Sequence, residues 1–217
     1  MTVRRSQAAD LPALQTLWQA VFGDPPAFTG QFYETFGADC AIVAEESERV
    51  VAMVHPLPVA LAQNGRYAFG VYIYALATAP DHRGRGIASR LLEAAETAPF
   101  PAPSALAGAE TVGLTAQSGD SPAFSLLIPG EESLFDYYRA RGYARSAKVI
   151  SAEADNYLAH LVQGQTSTPV FLKPEPFFAF SVKIPEPVPP PTERALWKAL
   201  STDLTVDAEP TLSHFMQ

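Results

Sequence analysis

Ala79-Pro80-Asp81-His82-Arg83-Gly84-Arg85-Gly86-Ile87-Ala88-Ser89-Arg90-Leu91-Leu92 is the stretch on which the fold turns. An alternating apolar segment at residues 71–78 runs into it and an amphipathic segment at residues 87–95 runs out of it, so the local order is strand, glycine-rich turn, helix. That order presents unpaired backbone N–H groups to an anion. Gly84 and Gly86 allow close approach because they carry no Cβ. The N-terminus of the following helix adds its own free N–H groups and the positive end of its dipole, and Arg83 and Arg85 add fixed charge. The stretch reads as a pyrophosphate cradle. Two nucleotide motifs are excluded: a dinucleotide fingerprint needs glycine where Ser89 stands, and a P-loop needs a lysine that is not nearby.

What does fit is R-x-x-G-x-A, spelled by Arg83, Gly86 and Ala88. It resembles the acyl-CoA signature of the GNAT N-acetyltransferase superfamily. A second resemblance lies at residues 124–143, where a strand-like run leads into a helix ending Tyr138-Arg139-Ala140-Arg141-Gly142-Tyr143, similar to the family pattern Y-x-x-x-G-[FY]. This helix is also well specified physically. Glu131, Glu132 and Asp136 lie toward its start and Arg139 and Arg141 at its end, complementing the dipole. Gly142 supplies the left-handed closing residue, and Leu134 and Tyr138 share a face.

The resemblance implies an α/β (α+β) fold, a mixed and mostly antiparallel twisted sheet flanked by helices, with a C-terminal extension. Residues 1–184 form the acyl-CoA-binding domain with an inserted loop at 98–122, and residues 185–217 a Pro-rich segment and short helix. The implied activity is transfer of an acetyl group from acetyl-CoA to a primary amine of a small molecule or peptide, by direct attack in a ternary complex. The alternative is a non-catalytic CoA-binding regulatory or interaction module. The resemblance places the backbone of Leu76, Ala77 and Thr78 along the pantetheine arm and Arg83, Gly84, Arg85, Gly86, Ile87, Ala88 and Ser89 at the pyrophosphate. Tyr138 becomes the general acid for the departing thiolate; a phenol of pKa about 10 is suited to a thiolate of similar basicity. For the base the reading stays open. Many relatives use a carboxylate on the strand entering the loop, but residues 71–78 carry Tyr72 and Tyr74 and no acid. Glu45 and His55 on neighbouring strands are the candidates, set against a surface acid and a satisfied histidine. A water chain or an already neutral amine would need neither. No metal is implied.

The chain has 217 residues, 47% of them hydrophobic and 11% aromatic, enough for one sizeable core. Its net charge of −8 argues against nucleic acid, whose phosphates require a basic face, and is compatible with a cationic substrate. No apolar run approaches the roughly 18 residues of a membrane span, and residues 1–6 lead into no signal-peptide core. The expectation is a cytoplasmic protein, with a homodimer left open. The lone Cys40 reads as a small buried hydrophobe.

Along the chain, residues 2–5 read as a strand. Asp10 and Pro12 open a helix with Leu11, Leu14, Trp18 and Val21 at helical spacing, which Gly23-Asp24-Pro25-Pro26 ends. Phe28, Phe32 and Phe36 stripe a second helix. Residues 40–44, 50–62 and 67–78 read as three antiparallel strands, the second marked by Pro56 and Pro58 as an edge or bulge, with Asn64-Gly65 as the hairpin turn. Residues 170–172 and 177–184 have strand composition, 185–191 should be polyproline II, and Thr192 caps a last helix reaching Leu200.

Overall fold

Period-two alternation of apolar residues builds a sheet that is covered on both faces. The computed structural model describes residues 1–63, 66–98, 121–151, 178–179, 193–202, 204 and 211–214. The strands are β1 (Thr2–Arg5), β2 (Ile42–Glu46), β3 (Arg49–Gln63), β4 (Arg66–Thr78), β5 (Phe124–Leu127), β6 (Arg145–Ser151), β7 (Phe178–Ala179), β8 (Glu193–Ala199) and β9 (Thr211–His214). The α-helices are α1 (Leu11–Phe22), α2 (Pro26–Phe36), α3 (Ile87–Thr97) and α4 (Ser133–Arg139). Among the described residues the strands form one sheet in the order β1-β2-β3-β4-β5-β8-β6-β9, with β7 beside β3. Among the described residues only the pairs β4–β5, β3–β7 and β6–β9 are parallel. The sheet is thus mixed and mostly antiparallel, as expected.

Successive residues sort to opposite faces. Val43, Met53, Tyr72, Leu126 and Trp197 point into one core with Leu14, Trp18 and Phe32 of α1 and α2. Ile42, Val54, Val71, Ile73, Leu127 and Leu196 point into the other, with Ile87, Leu91, Leu92 and Ala95 of α3 and Tyr138 of α4.

The structure extends or corrects several readings. The helix expected from Thr192 to Leu200 is instead β8, antiparallel to both β5 and β6. Its Ala195 and Trp197 enter one core and Leu196 the other, so the packing of a two-sided strand overrides the helix preference of Glu, Arg, Ala, Leu and Lys. Asp10 occupies the N-cap position of α1, but its carboxylate accepts from the Gln7 amide and the Arg4 guanidinium instead of capping. Pro56 and Pro58 fall where β3 has run past Val54, the partner of the first β2 residue, Ile42, and before β7 joins at Val59. A residue without an N–H is tolerated on such a one-sided stretch. Cys40 is half-buried and precedes β2; burial pushes its thiol up to about 12. Gln63 faces Arg66 in the register, but the Asn64-Gly65 turn between them lies outside the described residues. So do residues 99–120 of the expected loop, 170–172, all of the 177–184 strand except β7, and 185–191. No helix among the described residues is long and apolar enough to cross a membrane.

Candidate functional site

β4 and β5 pair in parallel from Gly70 opposite Phe124 to Ile73 opposite Leu127, and there the pairing stops. β4 continues to Thr78 along β3, but with an irregularity: Met53 faces Ala77 and His55 faces Tyr74, so Val54 alone stands against Ala75 and Leu76. Ala75 has φ 45°, a left-handed conformation that a non-glycine residue adopts only at a cost. This bulge turns the end of β4 away from β5 and opens a crevice between the two strands. The backbone of Leu76, Ala77 and Thr78 is left without a strand partner on the β5 side among the described residues.

The crevice is part of a cavity of about 980 Å³. Its floor is the glycine loop and the start of α3. Gly84 and Gly86 have φ 74° and 75°, and a Cβ at either would meet no atom within 4 Å. Backbone conformation, with open space above it, is therefore what requires glycine at both positions. The amides of Gly84, Arg85, Gly86, Ile87, Ala88 and Ser89 donate to no backbone carbonyl among the described residues. These are the free N–H groups that an anion at a helix N-terminus uses.

Nine of the residues expected at the site line this one cavity: Leu76, Ala77, Thr78, Arg83, Gly84, Gly86, Ile87, Ala88 and Tyr138. Arg83 Nε donates to the Thr78 carbonyl at 3.2 Å, which ties the loop to the strand before it. Arg85 turns away from the cavity to make a two-point contact with Glu46, at 2.9 and 2.7 Å. Ser89 lies outside the lining but accepts from Arg141 Nε at 3.0 Å. Tyr138 is 8% exposed, and burial pushes its phenol up to about 12. Its position depends on how α4 ends. Gly142, with φ 89°, donates to Arg139, and Tyr143 donates to the Tyr138 carbonyl, the paired closure that a C-terminal glycine provides.

The two candidate bases do not line the cavity. Glu45 on β2 accepts from Arg4 Nε at 2.8 Å, in a cluster with Asp10. His55 on β3 is fully buried, and its Nε2 lies 2.9 Å from the Tyr33 hydroxyl.

Other residues at the cavity were not singled out in the sequence as site residues. Arg141 follows α4, with its guanidinium 3.4 Å from the Tyr137 ring centroid and its Nη1 donating to the Tyr137 carbonyl at 2.7 Å. This holds a cation beside the start of α3. The lining also includes Trp18, Val21, Phe22, Asp24, Tyr72 and Tyr74. The aromatic residues were legible as apolar positions. Asp24 looked like part of a helix-ending turn, and nothing in its spacing marked it as a cavity residue.

A glycine loop and a helix N-terminus thus stand beside a crevice where two parallel strands part, in an α/β fold with a mostly antiparallel sheet. The acetyltransferase (GNAT) domain family matches residues 2–99 of this chain. The fold is similar to that of Chaetomium thermophilum Naa20, solved in complex with a bisubstrate analogue, at 16% identity over 98% of this chain and 97% of that one, with a TM-score of 0.51. A GCN5-related N-acetyltransferase from Anabaena variabilis is 18% identical over 68% of this chain, with a TM-score of 0.47, and this chain spans only 32% of that protein. A Mycobacterium tuberculosis protein solved with CoA is 17% identical over 68% of this chain and 72% of that one, with a TM-score of 0.39. No curated protein matches the sequence.

Proposed function

We propose that the protein transfers an acetyl group from acetyl-CoA to a primary amine of a small molecule or peptide, by direct attack within a ternary complex. The observation that carries this reading is the continuity of one cavity from the free amides of Gly84 to Ala88, past the bulged end of β4, to the Tyr138 ring. In this reading the loop amides and Arg83 take the pyrophosphate. The unpaired edge of Leu76, Ala77 and Thr78 lies along the pantetheine arm in the manner of an added strand. The neutral amine nitrogen attacks the thioester carbonyl carbon, the C–S bond breaks, and Tyr138 gives its hydroxyl proton to the thiolate sulfur. The proton released by the amine leaves to water, and the Tyr138 phenolate takes one back from water, since neither Glu45 nor His55 lines the cavity.

Calorimetry with acetyl-CoA tests the cofactor assignment. Wild type should bind at sub-millimolar concentration, and Gly86→Glu, which puts a strained side chain and a negative charge into the cradle, should abolish binding. Binding that is absent in wild type or unchanged in the variant overturns the assignment. A panel of amines with thiol detection then tests transfer. Acetyl-CoA binding without thiol release above the buffer rate for any amine would favour a non-catalytic CoA-binding module.

A further inference from the structure

Asp24 contributes a carboxylate to the cavity lining beside the aromatic residues Trp18, Tyr72 and Tyr74. Asp24 follows Gly23, whose φ of 77° ends α1 with a left-handed turn and directs the next side chain back toward the helix. Trp18 Nε1 donates to Asp24 Oδ2 at 2.7 Å. Trp18 itself is 1% exposed and wedged against Phe32 and His55 with ring centroids at 4.9 and 5.0 Å. The indole therefore cannot move, and it fixes the carboxylate. Asp24 Oδ1 has no hydrogen bond among the described residues, and Asp24 lines the cavity together with Tyr74. The two are electrostatically close: burial raises the Tyr74 phenol, and the negative charge of Asp24 adds to that rise.

We infer that Asp24 is the specificity anchor for the acceptor, and that the acceptor is an amine of net positive charge. An ammonium group against Asp24 Oδ1 gains a charge-assisted hydrogen bond, and the partly exposed ring of Tyr74 beside it favours a cation over a neutral group. A carboxylate on the acceptor would meet Asp24 with like charge, and Val21, Phe22, Tyr72 and Tyr74, which line the cavity with it, offer no cationic partner. The inference rests on the transferase reading and extends it from amines in general to cationic ones. Asp24 is a binding residue here, and the proton inventory of the reaction does not involve it.

The test compares cadaverine with 5-aminovalerate, which share a reacting amine and chain length but end in a cation and an anion. In wild type, KM for cadaverine should be lower by about tenfold or more, the scale of one hydrogen bond to a charged group. Asp24→Asn keeps an acceptor for Trp18 Nε1 and should fold normally. It should raise KM for cadaverine by about tenfold, leave kcat within about threefold, and collapse the preference between the two amines. The calorimetric Kd for acetyl-CoA, read on the same variant, should stay unchanged. An unchanged amine preference in Asp24→Asn overturns the inference while leaving the transferase reading intact. If wild type binds acetyl-CoA but turns over no amine, the transferase reading fails. The same two amines are then titrated into CoA-saturated protein, where lack of cadaverine binding, or binding indifferent to Asp24→Asn, overturns the anchor as well.

Discussion

At Tyr138 the surroundings and the proposed task agree in sign. Burial among Tyr137, Tyr143 and Leu134 penalises the phenolate and pushes the group up to about 12, so the hydroxyl keeps its proton throughout the range in which an acceptor amine titrates. If it protonates the departing thiolate, kcat should rise with pH as the amine loses its proton and should show no fall up to about pH 10. Tyr138→Phe retains the ring and its packing; it should lower kcat by about 10²-fold while acetyl-CoA Kd stays within about twofold. A variant with near wild-type kcat would make Tyr138 a packing residue. The sequence exposed this residue through its resemblance to the family pattern Y-x-x-x-G-[FY], on a helix whose dipole-ordered charges and closing glycine are legible locally. Asp24 and Arg141 belong to the same cavity but were not legible, because their meaning depends on what lies across the fold from them. Asp24 is 114 positions from Tyr138, and no periodicity within α1 or α2 signals that both line one cavity.

At the scale of elements the same division holds. Strand, loop and α3 were legible because the loop chemistry fixed the register between them, whereas β8 was not. Glu193-Arg194-Ala195-Leu196-Trp197-Lys198-Ala199 is rich in helix formers, and only its place between β5 and β6 makes every second side chain a core residue on alternate faces. Lys198 further ties β8 to α3. Its Nζ lies 2.7 Å from Glu96 Oε2, and Tyr143, whose hydroxyl is 2.6 Å from Ser125 Oγ, donates to Glu96 Oε1 at 2.6 Å. Glu96 is 11% and Lys198 19% exposed in the side chain, so the pair is largely shielded from solvent and removal of one charge leaves the other poorly satisfied. Glu96→Gln should destabilise the fold by about 1–3 kcal/mol in urea unfolding, without changing acetyl-CoA affinity. Combining it with Lys198→Met should cost less than the sum of the single changes, since the stranded charge is removed. Strict additivity would show that the two side chains do not act as a pair.

The whole molecule carries a buried titratable group at the centre of its α1–α2 core. His55 is fully buried between Trp18, Phe32 and Tyr33. Burial lowers it to about 3; the carbonyls of Tyr74 and Ala75 oppose that shift, but neither closes a hydrogen bond to Nδ1. The native state thus holds this imidazole neutral, whereas in the unfolded chain it protonates near its ordinary value of about 6.5. A lowered histidine gives stability that is present in full above the unfolded value. As pH falls below about 6.5 the unfolded state takes up the proton first, and stability declines toward the folded value, by at most about 1.4 kcal/mol per pH unit. The acids Asp10, Glu46 and Asp81 are lowered by Arg4, Arg85 and His82 respectively, so their contributions fade only through and below the ordinary carboxylate range. The window from about pH 6 to 4.5 therefore reads His55 before them. Over that window the urea midpoint of wild type should fall steadily. In His55→Phe, which keeps a ring in the aromatic box and loses only the Tyr33 contact, the starting midpoint should be lower and the slope flatter. Parallel slopes in the two proteins would mean that His55 accepts a proton in the native core, and the packing of α1 and α2 over β3 and β4 would have to admit water there.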